Sequence, residues 1–339
     1  MAHSDIICCI SKRFEQARES GNLLFFPSTV TKLPALGVEF QIRLCPALQK
    51  KPPIPPPDLG AIEADAGIKS DRAEQREKER HDPFCPYDPH LHLGDLQDQD
   101  GAEYVVLFNK FSVVPNHFLL VTKEFQLQSS PLMPSDLVQA YSILIAGQKA
   151  GQRYFGFYNC GEQSGASQPH KHLQFIPIED DGPPTERLAR SAHLEMADKP
   201  FSLPQLPYAH HIFRFPSNLP SSPPAKIEHT LSTAFLNLLD LVFSTIRHAT
   251  EYPPGKPSYN VILTIDHMHL IPRRTHEYTF PETGETLSVN ALGYAGLLLV
   301  KSEEQLKAVQ SAGVGNILEA VGLTSVHEIQ LGEATTEVE

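Results

Sequence analysis

Residues 164–174, which read SGASQPHKHLQ, have the residue types to perform nucleophilic chemistry on a phosphate ester. His170 and His172 are two positions apart, and Gln174 follows two positions later. Alternate residues of a β-strand point to the same face, so a strand over residues 170–178 would place these three side chains together. The loop before them offers backbone N–H groups and hydroxyls that could bind a phosphate. The pattern suits a nucleophilic imidazole beside an anion-binding loop.

Taken alone, the two histidines have other interpretations. His-x-His is most often part of a strand with two hydrogen-bonded polar side chains, and two imidazoles on one strand face can also chelate zinc. A second candidate metal cluster is formed by His90 and His92, which follow Cys85 closely. The sequence contains no Cys-x-x-Cys, so it predicts no metal held by the protein itself. The glycine and serine residues before the pair favour the catalytic interpretation.

A longer signature surrounds the two histidines, with the spacing Asn159-x-Gly161-x-x-Ser164-Gly165-x-Ser167-x-x-His170-x-His172-x-Gln174. It resembles the active-site signature of the histidine-triad superfamily, in which glutamine in place of a third histidine marks the nucleotidyltransferase branch. Further stretches at 40–52, 109–118 and 259–273 are similar to the fungal diadenosine tetraphosphate phosphorylases, also called ATP adenylyltransferases. The resemblance covers most of the chain.

The resemblance implies a reaction and a role for each residue. Diadenosine tetraphosphate and phosphate would be converted reversibly to ATP and ADP. His172 would attack the α-phosphorus and carry the nucleotide, His170 would orient it, and Gln174 would contact the α-phosphate oxygens. The remaining substrate contacts would come from the loop residues Asn159, Gly161, Ser164, Gly165 and Ser167, from Asn109 at the ribose, and from Lys50 or Lys51 at the distal phosphates.

The cofactor and partners follow from the same resemblance and from the polyphosphate chemistry. We expect a divalent cation, magnesium, to be carried by the substrate phosphates, because magnesium keeps several waters and takes few protein ligands. The small-molecule partners would be dinucleoside polyphosphates, ATP, ADP and inorganic phosphate.

Two other functions stay open. A hexose-1-phosphate uridylyltransferase also uses His-x-His-x-Gln, although such enzymes usually carry metal-binding cysteines, which are not spaced as a pair here. A non-catalytic nucleotide-binding protein could keep the same fold, but the intact His172 argues against it.

Composition limits the class of protein. The chain has 339 residues, 41% of them hydrophobic, and a formal net charge of −12. An acidic chain without a basic run is a poor nucleic-acid binder, and no apolar run reaches the roughly 20 residues that span a bilayer. Five cysteines without a paired framework favour a reducing compartment, the cytoplasm or the nucleus. We expect a monomer or small homo-oligomer with neither nucleic acid nor membrane as partner.

The elements that must position the site follow an α+β pattern. Hydrophobic periodicity predicts a helix within 1–26, another from Pro134, and further helices at 227–248, 303–312 and 314–321. It predicts strands at 38–44, 103–108, 116–122, 154–158, 170–178, 259–265 and 269–271.

His267 and His269 echo the first histidine pair, although the second pair lacks the preceding loop and the glutamine. The echo suggests a duplicated half-barrel, a histidine-triad-like antiparallel sheet with helices packed on it, in which the second pair is structural. Chance similarity in a chain with 16 histidines is the alternative explanation of the echo. A catalytic part would span 1–185, with a flexible insertion near 52–81 that is rich in proline and charge. A C-terminal part, 186–339, would complete the sheet and the substrate site.

Overall fold

A computed structural model gives the structure of the protein and describes residues 2–50, 82–179 and 182–325. The predicted insertion near 52–81 and the predicted site residue Lys51 lie outside these residues. The helices are α1 (His3–Glu19), α2 (Pro134–Lys149), α3 (Glu186–Ser191), α4 (Pro224–His248), α5 (Ala291–Ala295), α6 (Glu303–Ala312) and α7 (Val314–Val321).

The strands are β1 (Leu24–Phe25), β2 (Thr29–Ala35), β3 (Val38–Leu44), β4 (His92–Gln97), β5 (Glu103–Phe108), β6 (Phe111–Ser112), β7 (Phe118–Thr122), β8 (Tyr154–Cys160), β9 (His172–Pro177), β10 (His211–Arg214), β11 (Ser258–Leu263), β12 (His267–Arg273), β13 (Glu277–Thr279), β14 (Thr286–Ser288) and β15 (Leu297–Val300). Eight of them form one antiparallel sheet in the order β10-β12-β11-β8-β9-β7-β5-β4. A smaller sheet has the order β15-β3-β2.

The large sheet contains the duplication that the sequence suggested. In the first half, β7, α2, β8 and β9 follow one another along the chain, and β9 lies between β8 and β7. In the second half, β10, α4, β11 and β12 repeat this order, and β12 lies between β11 and β10. The halves meet where β8 pairs antiparallel with β11. The sheet is therefore continuous across the proposed boundary at residue 185.

Side-chain alternation along the strands gives the sheet two different faces. Leu173 and Phe175 of β9 belong to the core that packs beneath α1, α2 and α4. Ile176 belongs to the core on the opposite face, which the smaller sheet and the C-terminal helices share. His172 and Gln174 alternate with Leu173 and Phe175, so they lie on the face away from the three long helices.

Some boundaries differ from those that the periodicity predicted. The first helix occupies residues 3–19 of the predicted range 1–26 and ends just before Gly21, a stop that the sequence predicts and that has a left-handed φ of 76°. The strand predicted over 170–178 begins only at His172, because Lys171 N–H donates instead to Gln126 O, 2.8 Å away. His170 therefore precedes the strand, and the prediction that it shares one strand with His172 and Gln174 was wrong.

No helix in the described part of the chain is both long enough and apolar enough to cross a membrane.

Candidate active site

His172 begins β9, and two contacts fix its ring. The ring Nδ1–H donates to the carbonyl oxygen of His170 at 2.8 Å. Because Nδ1 holds the proton in this contact, Nε2 carries the lone pair. The side chain also lines an open pocket of about 450 Å³. Phe84 packs on the ring, with the ring centroids 5.3 Å apart.

Burial keeps this imidazole neutral. His172 is only 3% exposed, and desolvation lowers its pKa from 6.5 to about 4, against the hydrogen bond to His170, which raises it. At neutral pH the ring is therefore a neutral imidazole with a lone pair on Nε2, which is the state that a nitrogen nucleophile needs.

The pocket beside His172 is lined by both apolar and polar residues. The apolar lining residues include Pro83, Phe84, Tyr87, Leu91 and Leu119, and such a lining suits a planar base. The polar lining residues are Asp88, Asn109, Lys110, Ser167, Gln168, His172 and Gln174. Four predicted site residues, His172, Gln174, Ser167 and Asn109, thus line one pocket although Asn109 is distant in the sequence.

A hydrogen-bond network of three side chains determines the orientation of the Gln174 amide. The amide Nδ2 of Asn109 lies 3.3 Å from Nδ1 of His117, and His117 Nε2 lies 3.1 Å from Oε1 of Gln174. Asn109 donates to Nδ1, so His117 carries its proton on Nε2 and donates it to Gln174. Burial lowers the pKa of His117 to about 4, so that ring is neutral as well. Because Oε1 accepts this hydrogen bond, the NH₂ group of Gln174 can donate to a bound ligand.

Hydrogen bonds between buried polar groups stabilise the loop 161–169 on its side away from the pocket. The Asn159 Oδ1 accepts hydrogen bonds from Asn260 Nδ2 at 2.8 Å and from the backbone N–H of Ala291 at 3.0 Å. Ser164 is fully buried, and its hydroxyl donates to Gly161 O at 2.6 Å. Both side chains are thus engaged within the protein, and their contacts support the loop rather than the pocket.

The two loop glycines allow a close approach that other residues would prevent. Gly161 has φ 88°, and a Cβ there would lie 2.5 Å from Ser258 Oγ. Gly165 has φ 79°, and its Cβ would lie 2.8 Å from Val289 O. The conformation of the loop therefore requires glycine at both positions. Ser167, by contrast, is exposed at the pocket.

His170 orients His172 through its carbonyl oxygen, while its own ring is buried elsewhere. Its Nδ1 lies 2.8 Å from Asp82 Oδ2, and its Nε2 lies 2.7 Å from Thr122 O. The ring is completely buried and does not line the pocket. A direct contact of this ring with substrate stays a prediction.

The predicted lysine pair is only partly described. Lys50 ends the 3-10 turn Pro46–Lys50, and Lys51 lies outside the described residues. Their contact with distal phosphates stays a prediction.

Two of the alternative metal ligands, His92 and His170, contact other groups. His92 Nε2 lies 3.2 Å from Asp95, and both ring nitrogens of His170 are hydrogen bonded. Within residues 2–50, 82–179 and 182–325, no three histidine, cysteine or acidic side chains are grouped so that they could hold a metal ion.

The second histidine pair lies at the start of β12, the strand of the second half that corresponds to β9, but Glu186 binds both of its rings. His267 Nδ1 and His269 Nε2 lie 2.7 and 3.0 Å from the two oxygens of Glu186. Burial alone would raise the pKa of Glu186, but the hydrogen bonds from both histidines outweigh it and lower the pKa to about 2. The Nε2 of His269 is thus bound to a carboxylate, whereas the equivalent Nε2 of His172 lines a pocket.

Several residues of the site have no signal in the sequence. The segment that begins at residue 82, where the description of the chain resumes, supplies Asp82, Phe84 and Tyr87. The residue immediately before β7 is His117. Gln128 contacts both backbone polar groups of His172. The aromatic and proline residues at 83–87 could have indicated a stacking surface, but nothing in the sequence places them against His172.

The site and the comparisons with known proteins together define the class of this protein. A buried neutral histidine at the start of a strand, within a His-x-His-x-Gln motif and beside a glycine-dependent loop and a pocket, defines a nucleotidyltransferase of the histidine-triad type. Residues 1–188 match the family of the Ap4A phosphorylase N-terminal domain, where Ap4A is diadenosine tetraphosphate, and residues 204–324 match the ATP adenylyltransferase C-terminal domain. The chain belongs to the Ap4A phosphorylase family.

Individual relatives are similar over nearly the whole chain. Diadenosine 5',5'''-P1,P4-tetraphosphate phosphorylase 2 of Saccharomyces cerevisiae is 32% identical over 311 residues, which cover 88% of each chain. The crystal structure of yeast Ap4A phosphorylase Apa2 superposes with a TM-score of 0.76 at 27% identity, covering 96% of this chain and 99% of that one. The structure of Apa2 in complex with Ap4A gives a TM-score of 0.75 at 27% identity, with the same coverage.

Proposed function

We propose that this protein catalyses the reversible phosphorolysis of diadenosine tetraphosphate, with phosphate as the acceptor and ATP and ADP as products. The observation that carries the proposal is the state of His172. Its Nδ1–H is committed to the His170 carbonyl, its ring is neutral, and its side chain lines the pocket. Membership of the family, and a relative named as a phosphorylase of this dinucleotide, support the choice of substrate.

The reaction proceeds in two displacements at one phosphorus atom. The lone pair on His172 Nε2 attacks the α-phosphorus, a P–N bond forms, and the P–O bond to the remaining phosphates breaks, so that ATP leaves. An oxygen of inorganic phosphate then attacks the same phosphorus, the P–N bond breaks, and ADP leaves with the ring restored. The leaving polyphosphate is a weak base, so the site needs charge stabilisation and alignment more than a strong acid.

The other pocket residues supply that stabilisation. The NH₂ group of Gln174, turned by His117, donates to an α-phosphate oxygen as negative charge develops there. Ser167 and Lys110 border the same pocket and hold neighbouring phosphate oxygens. Phe84 and Tyr87 stack with the adenine base, and Asn109 binds the ribose hydroxyls.

The divalent cation in this proposal belongs to the substrate. Magnesium bound to the polyphosphate would neutralise the leaving group, and Lys50 or Lys51 would hold its far end. Excess chelator should abolish turnover and added magnesium should restore it, while the dialysed protein should contain far less than one metal ion per chain. One tightly held zinc ion per chain would contradict this assignment.

The acceptor is identified with labelled phosphate. Purified protein is incubated with diadenosine tetraphosphate and ³²P-labelled inorganic phosphate, with His172→Asn as the control variant. Phosphorolysis yields unlabelled ATP and ADP labelled at its β-phosphate, and the control variant yields neither. Formation of ATP and AMP, with the label remaining in free phosphate, would show that water is the acceptor and the proposal is wrong.

A further inference from the structure

The side chain of Gln128 lies in the sheet where β8 and β9 separate. The ladder between these strands ends at the pair Phe157 and Gln174. Two positions further, the same antiparallel register would place Asn159 opposite His172. Instead of bonding to each other directly, these two backbones are connected by the carboxamide of Gln128.

The carboxamide makes the hydrogen bonds to the backbones of Asn159 and His172 that a neighbouring strand would otherwise make. His172 N–H donates to Gln128 Oε1 at 2.8 Å. The Gln128 NH₂ group donates to Asn159 O at 2.8 Å and to His172 O at 3.3 Å. Both backbone polar groups of His172 are therefore satisfied by one side chain, which is only 1% exposed.

Gln128 is itself fixed by its backbone. Its N–H donates to Pro169 O at 2.7 Å, and its carbonyl oxygen accepts from the Tyr158 hydroxyl at 2.9 Å. The neighbouring Leu127 forms an isolated antiparallel bridge with His170. The orientation of the carboxamide is also determined, because its three partners are one N–H donor and two carbonyl acceptors.

We propose that Gln128 is a positioning residue for the His172 nucleophile. The carboxamide lets β8 and β9 diverge, as the loop 161–169 requires, while the backbone of His172 stays in the sheet. The bond from Nδ1 to the His170 carbonyl then sets the ring, so that Nε2 is aligned with the phosphorus. This inference rests on the proposed function, in which His172 Nε2 attacks the substrate.

Two substitutions separate positioning from bulk stability. Gln128→Ala removes every bond of the carboxamide. Gln128→Glu, when ionised, still accepts from His172 N–H but faces the carbonyl oxygens of Asn159 and His172 without a proton to donate. Because the pocket residues are unchanged, we expect kcat to fall about 10- to 100-fold in both, with KM within about twofold of wild type.

Protonation of the glutamate provides the sharper test. A neutral carboxylic acid accepts through one oxygen and donates through the other, so it restores the bond to Asn159. Burial raises the pKa of such a carboxyl group, so we expect kcat of Gln128→Glu, relative to wild type, to rise about tenfold as the pH falls from about 8 to about 5.5. A purely structural defect would not recover on acidification.

Neighbouring groups do not mimic this response. The titratable side chains around this segment include Tyr158, Cys160 with its neighbour Tyr259, His170 with its partner Asp82, His172, and Lys171 with its partner Asp136. Burial raises the pKa of Tyr158 well above its ordinary value and that of Cys160 to about 12, while that of His172 is about 4. Any response of the remaining groups is shared by wild type and cancels in the ratio of the two profiles.

The matched control is Gln139→Glu. Gln139 is also a buried glutamine, but its side chain bonds to His3 between α1 and α2, outside the site. A loss of kcat confined to the residue-128 variants and reversed by acid in Gln128→Glu supports the proposal. A loss equal to that of Gln139→Glu, a change in KM alone, or a defect that acid does not reverse would overturn it.

A readout without substrate keeps the two proposals separate. If the wild-type protein produces no ATP and ADP, the proposed function fails, but the position of His172 can still be measured. In ¹⁵N-histidine-labelled protein, assigned with His172→Asn, the Nδ1–H resonance of His172 should shift or broaden in Gln128→Ala and stay unchanged in Gln139→Glu. An unchanged His172 resonance in Gln128→Ala would refute the positioning role.

Discussion

Removal of the lysine between the two histidines should strongly destabilise the protein, because it would leave its buried carboxylate partner without a cation. Lys171 points to the face opposite His172, is fully buried, and has its Nζ 2.5 Å from Asp136 Oδ2 at the start of α2. Asp136 also accepts from the Tyr104 hydroxyl and from Met133 N–H, each at 2.8 Å. Lys171→Met leaves this carboxylate buried with no cation, and removing one partner of a buried pair costs about 3–5 kcal/mol of unfolding free energy.

Urea unfolding measures this loss, followed by circular dichroism because the chain contains no tryptophan. The control is Lys123→Met, which removes a half-exposed lysine 3.4 Å from Glu103 and should cost less than about 1 kcal/mol. The double variant Lys171→Met/Asp136→Asn leaves no buried charge, so it should be more stable than Lys171→Met alone by at least about 1 kcal/mol. A loss in Lys171→Met no larger than in the control, or a double variant that loses the sum of the single losses, would refute the reasoning.

Three further outcomes follow from the buried groups and the loop. Burial lowers the folded-state pKa of His172 from 6.5 to about 4, so protonation favours the unfolded chain. The stabilisation that the neutral ring contributes is complete above about pH 6.5 and is lost as the pH falls toward 4. The difference in unfolding free energy between wild type and His172→Asn should therefore fall by on the order of 3 kcal/mol over this range. A difference that stays constant with pH would contradict this expectation. Glu186→Gln removes the charge that the second histidine pair binds and should cost about 2–4 kcal/mol in urea unfolding, with kcat within about twofold of wild type; a large loss of kcat would place that pair in catalysis. Gly165→Ala should lower both stability and kcat, because its Cβ would meet Val289 O, whereas Gly151→Ala, with φ 71° but open space around it, should cost about 1 kcal/mol and leave kcat unchanged; equal losses in the two variants would show that the close approach does not matter.

Local patterns in the sequence were sufficient for much of the fold. Strand alternation and helix periodicity depend on neighbouring residues, which is why β3, α6 and α7 have the predicted bounds. The echo of the histidine pair at His267 and His269 indicated the duplication, because each half repeats the same order of elements.

The contacts that position the catalytic groups could not be predicted from the sequence, because they join distant parts of the chain. Asp82 and Gln128 have no local signal, yet they fix His170 and His172 through bonds across 88 and 44 positions. Ser164 has the residue type of a phosphate ligand, but the tight turn directs its hydroxyl to Gly161 O. Residue type therefore indicated the site, while the roles within it depend on tertiary packing.

The most direct test of the account is to trap the nucleotide on the protein. Wild-type protein is mixed with diadenosine tetraphosphate in the absence of inorganic phosphate, quenched at neutral to alkaline pH, and examined by intact mass and peptide mapping. We predict one adenylyl group per chain, attached through a P–N bond to Nε2 of His172, released as ADP when phosphate is added before quenching, and absent in His172→Asn. An adduct on another residue, or normal phosphorolysis by His172→Asn, would contradict the central claim.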